Sequence, residues 1–174
     1  MRKLVILGFI FFSFCSSWAQ PAQKLIREGN SLYNDGKYKE AEIDYRKALN
    51  KSPGSAKASY NLGNSLYRQQ NYQESANSYL KLTQDPRNAK LSQAYHNLGN
   101  SYLQSQKYNE SIDAYKKALR ANPKDEDTRY NLAYAMAKLQ QQKNKNKQNN
   151  KNQKQQQQQK QEQQFPNISY HSDQ

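Results

Sequence analysis

Leu62-Gly63-Asn64-Ser65-Leu66-Tyr67 decides the reading of this chain, because its Gly-Asn-Ser core occurs three times. The other copies are Gly29-Asn30-Ser31-Leu32-Tyr33 and Gly99-Asn100-Ser101-Tyr102-Leu103, which puts the glycines 34 and 36 residues apart. Nine residues after each glycine stands a tyrosine (Tyr38, Tyr72, Tyr108). A glutamate follows (Glu40, Glu74, Glu110), then a small residue (Ala41, Ser75, Ser111), then a second tyrosine (Tyr45, Tyr79, Tyr115). Columns in register over three copies mark an internal repeat. Apolar and small residues return every three or four positions within each copy, without the alternation of a strand, so each copy reads as two helices joined by a tight turn. The turns fall at Asp35-Gly36, Gln70-Asn71 and Gln106-Lys107. Pro53, Pro86 and Pro123 close the copies, since proline lacks the amide a helix needs and its ring blocks continuation. The two extra residues of the longer spacing are expected in a lengthened loop, Thr83 to Asn88. The fold class is therefore all-α.

A glycine in mid-helix costs about 1 kcal/mol of propensity, so each of the three is kept where a side chain would hold the second helix away. One helix pair cannot bury its own apolar face, and stability comes from stacking pairs. After Pro123, Asp125 to Leu139 begins a fourth first-type helix with Tyr130-Asn131-Leu132-Ala133-Tyr134, read as a capping helix. The expected organisation is a repeat domain over 20–139, with copies at about 22–55, 56–91 and 92–125 and a cap over 125–142.

The pattern resembles the tetratricopeptide repeat family: Leu62-Gly63, Leu98-Gly99, Ala41, Tyr45, Ala48, Pro53, Tyr79, Tyr115, Ala118 and Pro123 stand where that family's motif asks. Glu28, Ser75, Ser111 and Leu82 depart from it without breaking the packing. The resemblance implies a right-handed superhelix whose first helices line a concave groove. It places Asn30, Tyr33, Tyr60, Asn61, Asn64, Tyr67, His96, Asn97, Asn100, Tyr130 and Asn131 on that inner face. Asparagine offers donors and an acceptor, and tyrosine a broad apolar face with one polar tip, a combination suited to an extended peptide. The same Asn-Leu-Gly-Asn run is also what an average repeat of the family carries as plain scaffold. One subtype clamps a C-terminal carboxylate with basic residues. Asn30 and Asn61 match its amide positions, but Ile26, Gln93 and Asn97 replace its cations, so clamp activity is not expected. His96 reads either as a pH-sensitive contact or as a packed residue.

Composition narrows the function further. Only 34% of the 174 residues are hydrophobic, and 27 Lys and Arg against 14 Asp and Glu give a net charge of +13. With one cysteine and two distant histidines, His96 and His171, disulfide scaffolds, metal sites and Cys-His catalysis are not expected. No phosphate loop or catalytic constellation is present, so neither an enzyme nor a cofactor is expected. Arg2-Lys3, the apolar run Leu4 to Phe14, and Ser17 and Ala19 before Gln20 have the layout of a cleaved signal peptide over 1–19. This eleven-residue run would rise only about 16 Å as a helix, half a hydrocarbon core. Phe14 before Cys15 speaks against lipid attachment, and cleavage removes the only thiol.

From Gln140 to Gln164 the chain holds 13 Gln, 5 Asn, 6 Lys and 1 Glu, so the 140–174 tail is expected to be disordered or partly helical, fraying at Asn144 to Asn152. Its charge suits weak contact with an anionic membrane surface, or simple solubilisation. Nucleic acid is not an expected partner. Export signal, three repeats, cap and Lys/Gln tail together resemble the periplasmic BatC-type repeat proteins of the Bat aerotolerance operon. That likeness implies a periplasmic adaptor in envelope stress, with von Willebrand-type membrane proteins among its partners. The alternatives are a self-associating envelope protein and an accessory subunit of an envelope enzyme. The ending Phe165-Pro166-Asn167-Ile168-Ser169-Tyr170-His171-Ser172-Asp173-Gln174 differs in character from all before it, and a truncated or frame-shifted end is expected.

Overall fold

The computed structural model describes residues 19–85 and 90–164. The expected signal peptide, apart from Ala19, the C-terminal ending Phe165 to Gln174, expected to be truncated or frame-shifted, and Pro86 to Asn88 of the expected loop lie outside the described residues. Among the described residues every element is helical: α1 (Ala19–Asn34), α2 (Tyr38–Lys51), α3 (Ala56–Arg68), α4 (Tyr72–Leu82), α5 (Leu91–Gln104), α6 (Tyr108–Ala121) and α7 (Glu126–Gln164). Helices α1 and α2, α3 and α4, and α5 and α6 form successive helix-turn-helix pairs, and each second helix also packs on the first helix of the next pair.

The turns recur in detail. The seventh residue after each repeat glycine has left-handed backbone, with φ of 77° at Gly36, 62° at Gln70 and 59° at Gln106. Only the first copy places glycine there, and the two glutamines accept a conformation that side chains disfavour. Helix ends follow the punctuation: Ser52 and Asn122 close α2 and α6 by donating to Ala48 and Ala118 carbonyls just before Pro53 and Pro123. Ser55 and Asp125 cap α3 and α7, their side chains accepting from the amides of Ala58 and Thr128.

Glycine and tyrosine columns meet in the core. Tyr45, Tyr79 and Tyr115 are almost fully buried. A β-carbon added at Gly29, Gly63 or Gly99 would stand 2.7, 2.8 or 2.5 Å from the ring of Tyr45, Tyr79 or Tyr115 respectively. The ring of the second helix thus occupies the space a first-helix side chain would take. In α7 the same column holds Ala133, followed by Tyr134 in place of asparagine.

The serines that depart from the family motif are structural. Ser75 and Ser111 donate to the carbonyls of Gly63 and Gly99 at 2.8 and 2.9 Å. Ser75 also meets the Ser101 hydroxyl at 3.0 Å. In the preceding copy the position equivalent to Ser75 is Ala41, and Ser65, equivalent to Ser101, has a buried hydroxyl without a hydrogen-bond partner. A buried donor is costly when unpaired.

The tail is helical over Gln140 to Gln164, the second of the two expected alternatives, but without the fraying expected at its asparagines. Helix α7 runs unbroken to Gln164, past both the expected cap boundary and the Asn144–Asn152 stretch. No glycine or proline falls between 126 and 164. Each asparagine costs less than about 0.7 kcal/mol relative to alanine, while the glutamines and lysines around it are good helix formers. The chain divides into two units at Ala135/Met136, so α7 begins in the first and continues as the second. No described helix is long and apolar enough to cross a membrane.

Two expectations follow for stability, read by urea unfolding. Gly99→Ala should cost about 1–3 kcal/mol through overpacking against Tyr115, whereas Gly54, whose added β-carbon would meet nothing, should tolerate alanine. Ser65→Ala should raise stability by about 1 kcal/mol and Ser101→Ala lower it by a similar amount, although the two positions are equivalent in sequence.

Candidate functional site

The asparagine after each repeat glycine is tied to the core. The hydroxyls of Tyr45, Tyr79 and Tyr115 donate to Oδ1 of Asn30, Asn64 and Asn100 at 2.8, 2.5 and 2.6 Å. Burial pushes the phenols up, to about 12 for Tyr45 with help from the neighbouring Tyr33, and higher still for Tyr79 and Tyr115. They remain donors at any physiological pH. Each of these amides therefore turns its oxygen to the tyrosine, leaving its NH2 to face elsewhere.

A second set of amides links neighbouring first helices. Nδ2 of Asn61 donates to Asn30 Oδ1 at 2.7 Å, and Nδ2 of Asn131 to Asn100 Oδ1 at 3.1 Å. Asn97, in the same column, donates instead to the Tyr60 hydroxyl at 3.0 Å. Tyr60 sits edge-on to Tyr79, with the Lys90 ammonium 4.9 Å from its ring centre.

Two hollows open on this face. The larger, about 300 Å³, is lined by Asn30, Tyr33, Asn34, Tyr45, Lys57, Asn61 and Asn64. The smaller, about 70 Å³, is lined by Tyr33, Asn64, Tyr67, Arg68, Tyr79, Asn97 and Asn100. Tyr33 and Asn64 border both. Tyr33 and Tyr67 are themselves held edge-on by Tyr38 and Tyr72, at 5.1 and 5.2 Å between ring centres, so the aromatic walls are braced by the turn that follows them.

The eleven sequence-derived groove residues thus separate. Asn30, Tyr33, Asn61, Asn64, Tyr67, Asn97 and Asn100 border the hollows, while Tyr60 and Asn131 reach them through hydrogen bonds. Tyr130 is 73% exposed on α7 and borders neither hollow. His96 packs inward: its Nδ1 lies 2.5 Å from the hydroxyl of the buried Thr128, and its ring stands edge-on to Tyr115. Sequence reasoning passed over Asn34, Lys57 and Arg68. Lys57 precedes Gly63 by the same six residues that separate Gln93 from Gly99, so aligning the copies column by column would have found it.

Of the positions where a carboxylate clamp needs cations, Ile26 is fully buried, Gln93 is an uncharged exposed side chain, and Asn97 is engaged by Tyr60. Lys57 is the cation bordering the larger hollow. Among the described residues no group of three His, Cys, Asp or Glu side chains is placed to hold a metal ion.

Comparison with known proteins agrees with this architecture. A tetratricopeptide-repeat family profile matches residues 26–89 and a second, described as TPR repeat, matches 99–140. The chain is a tetratricopeptide-repeat protein. No curated protein sequence matches it. Among solved structures it is similar to the first repeat domain of Spaghetti (RPAP3) bound to the HSP90 peptide SRMEEVD, at 22% identity and TM-score 0.65, covering 70% of this chain and 94% of that one. It is also similar to the second such domain of human RPAP3 in complex with the HSP70 peptide SGPTIEEVD, at 18% identity and TM-score 0.61, over 70% and 97% of the two chains. MamA from Desulfovibrio magneticus RS-1 matches at 23% identity and TM-score 0.63, over 68% and 66%. Likeness at these identities speaks to the fold alone.

The packing of His96 gives a pH expectation. Burial lowers its pKa below 6.5, against the opposing pull of Asp125 and Asp127. The unfolded chain then binds more protons than the folded one between the folded pKa and 6.5. The stability that neutral His96 contributes is complete above pH 6.5 and is lost as pH falls from there through the folded value. Denaturant midpoints between pH 7.5 and 5 should fall, and His96→Gln should flatten that slope.

Proposed function

We propose that this protein is a non-catalytic adaptor that holds an extended peptide segment of a partner protein across the two hollows. One observation carries the reading: the tyrosine hydroxyls hold the oxygens of Asn30, Asn64 and Asn100 toward the core, which orients their NH2 donors away from it, beside the braced rings of Tyr33 and Tyr67. A row of donors suits the carbonyls of a peptide backbone. Lys57, exposed at the edge of the larger hollow, favours an acidic side chain in the bound segment. The peptide complexes of structurally similar repeat domains support the general role. The missing clamp cations argue that recognition here relies on amides and tyrosines more than on a terminal carboxylate.

The finer form of this reading is an exported, envelope-facing adaptor whose partners are membrane-associated, von Willebrand-type proteins. Its support is the signal-like layout of residues 1–19 and the likeness of the whole arrangement to the Bat periplasmic proteins. The rival, stacking of copies, draws on Tyr130 and Tyr134, which α7 leaves 73% and 44% exposed.

Lys57 and Asn34 are exposed, so replacing them should spare the core. With partners captured from envelope extract and identified, Lys57→Glu with Asn34→Ala should weaken capture about tenfold, because the reversed charge would meet an acidic side chain of the bound segment as a like charge, while melting is unchanged. Equal capture by the variant counts against the groove, and recovery of self-adducts alone after crosslinking favours stacking.

A further inference from the structure

Several cations on the repeat helices have carboxylate partners. Arg46 bonds Glu42 on its own helix and Glu74 on α4, and Lys47 reaches Asp44. Lys24 faces Glu28, and Arg129 faces Glu126. The second unit is built differently. From Gln140 to Gln161 it contains six lysines and no acidic residue, and the side chains from Gln140 to Lys160 are exposed.

Because this stretch is continuous helix, the lysines take definite angular positions. Lys143, Lys147, Lys151 and Lys154 are separated by 4, 4 and 3 residues, which at about 100° per residue puts all four within an arc of about 80°. Lys145 and Lys160 fall on the far side. The four form a row about 16 Å long, at 1.5 Å of rise per residue. Like charges at i, i+4 spacing oppose the helix that carries them, and no carboxylate on this stretch relieves them. An external anion would.

We infer that this lysine row is a docking surface for an anionic lipid membrane, with the helix lying along the headgroups. Four charges confined to one narrow arc can all meet a plane at once. A helix seated in a nucleic-acid groove needs cations on both flanks for the two phosphate strands, and 140–164 has no aromatic ring for stacking on bases. The stretch has no apolar side chain either, so contact is peripheral, reversible and electrostatic. It is accordingly sensitive to salt.

The test uses the full chain and vesicles of phosphatidylcholine with or without 30% phosphatidylserine, the neutral vesicles reporting any contribution from the apolar run Leu4 to Phe14. Binding should appear with the anionic vesicles in excess of the neutral ones and vanish at high salt. The decisive variant exchanges neighbours, Lys147→Asn with Asn146→Lys and Lys154→Gln with Gln155→Lys. Composition and net charge are preserved while the lysines spread around the helix. Each lysine near an anionic surface is worth roughly a fivefold change in partitioning, so this variant should bind at least tenfold more weakly, with circular dichroism confirming unchanged helix content. Equal binding by the variant, no excess on anionic vesicles, or tighter binding to a DNA duplex than to the vesicles would each overturn the proposal.

Discussion

Everything in the repeat domain depends on one contact, a tyrosine ring laid over a glycine of the preceding helix with its hydroxyl bonded to the next residue's amide. The glycine sets how closely the helices approach, since a single added carbon would fall within 3 Å of the ring. The asparagine sets the ring's depth and accepts the hydroxyl that burial would otherwise leave unpaired. Because ring and amide are joined, the inner face is not a passive lining. Its donors are aimed by the core, and a substitution there changes packing as well as recognition.

That coupling explains which parts of the molecule could be read from sequence. Gly63 and Tyr79 stand a fixed sixteen residues apart, as do their counterparts, and a periodic spacing of a residue that disfavours helix with one that fills space implies a close crossing. The role of Asn64 was not visible in the same way. An amide beside a glycine serves a ligand or the core equally well on paper, and only the reach of the Tyr79 hydroxyl decides. His96 occupies an inner-face column yet turns to Thr128, because α7 brings a hydroxyl within hydrogen-bond distance. The left-handed turn is announced by Gly36 in the first copy. Gln70 and Gln106 conceal it in the others.

Charge is managed differently in the two units. On the repeats, some cations reach carboxylates on their own helix, and Arg46 also reaches the neighbouring second helix, where the guanidinium holds Glu74 below the usual carboxylate range. From Gln140 to Gln161 the chain keeps its lysines and carries no acid. The asparagine content that suggested fraying proved a weak opponent, since a mild propensity cost at a few positions does not offset long runs of glutamine and lysine.

Ala133 and Tyr134 stand where the earlier copies have glycine and asparagine. The methyl group removes the seat for an incoming ring, and the phenol replaces its acceptor. A duplication inserted ahead of the closing helix would find matching surfaces on both sides, whereas one appended behind it would meet a mismatched socket. Two adjacent side chains therefore deny α7 the contact that joins the two helices of each earlier pair.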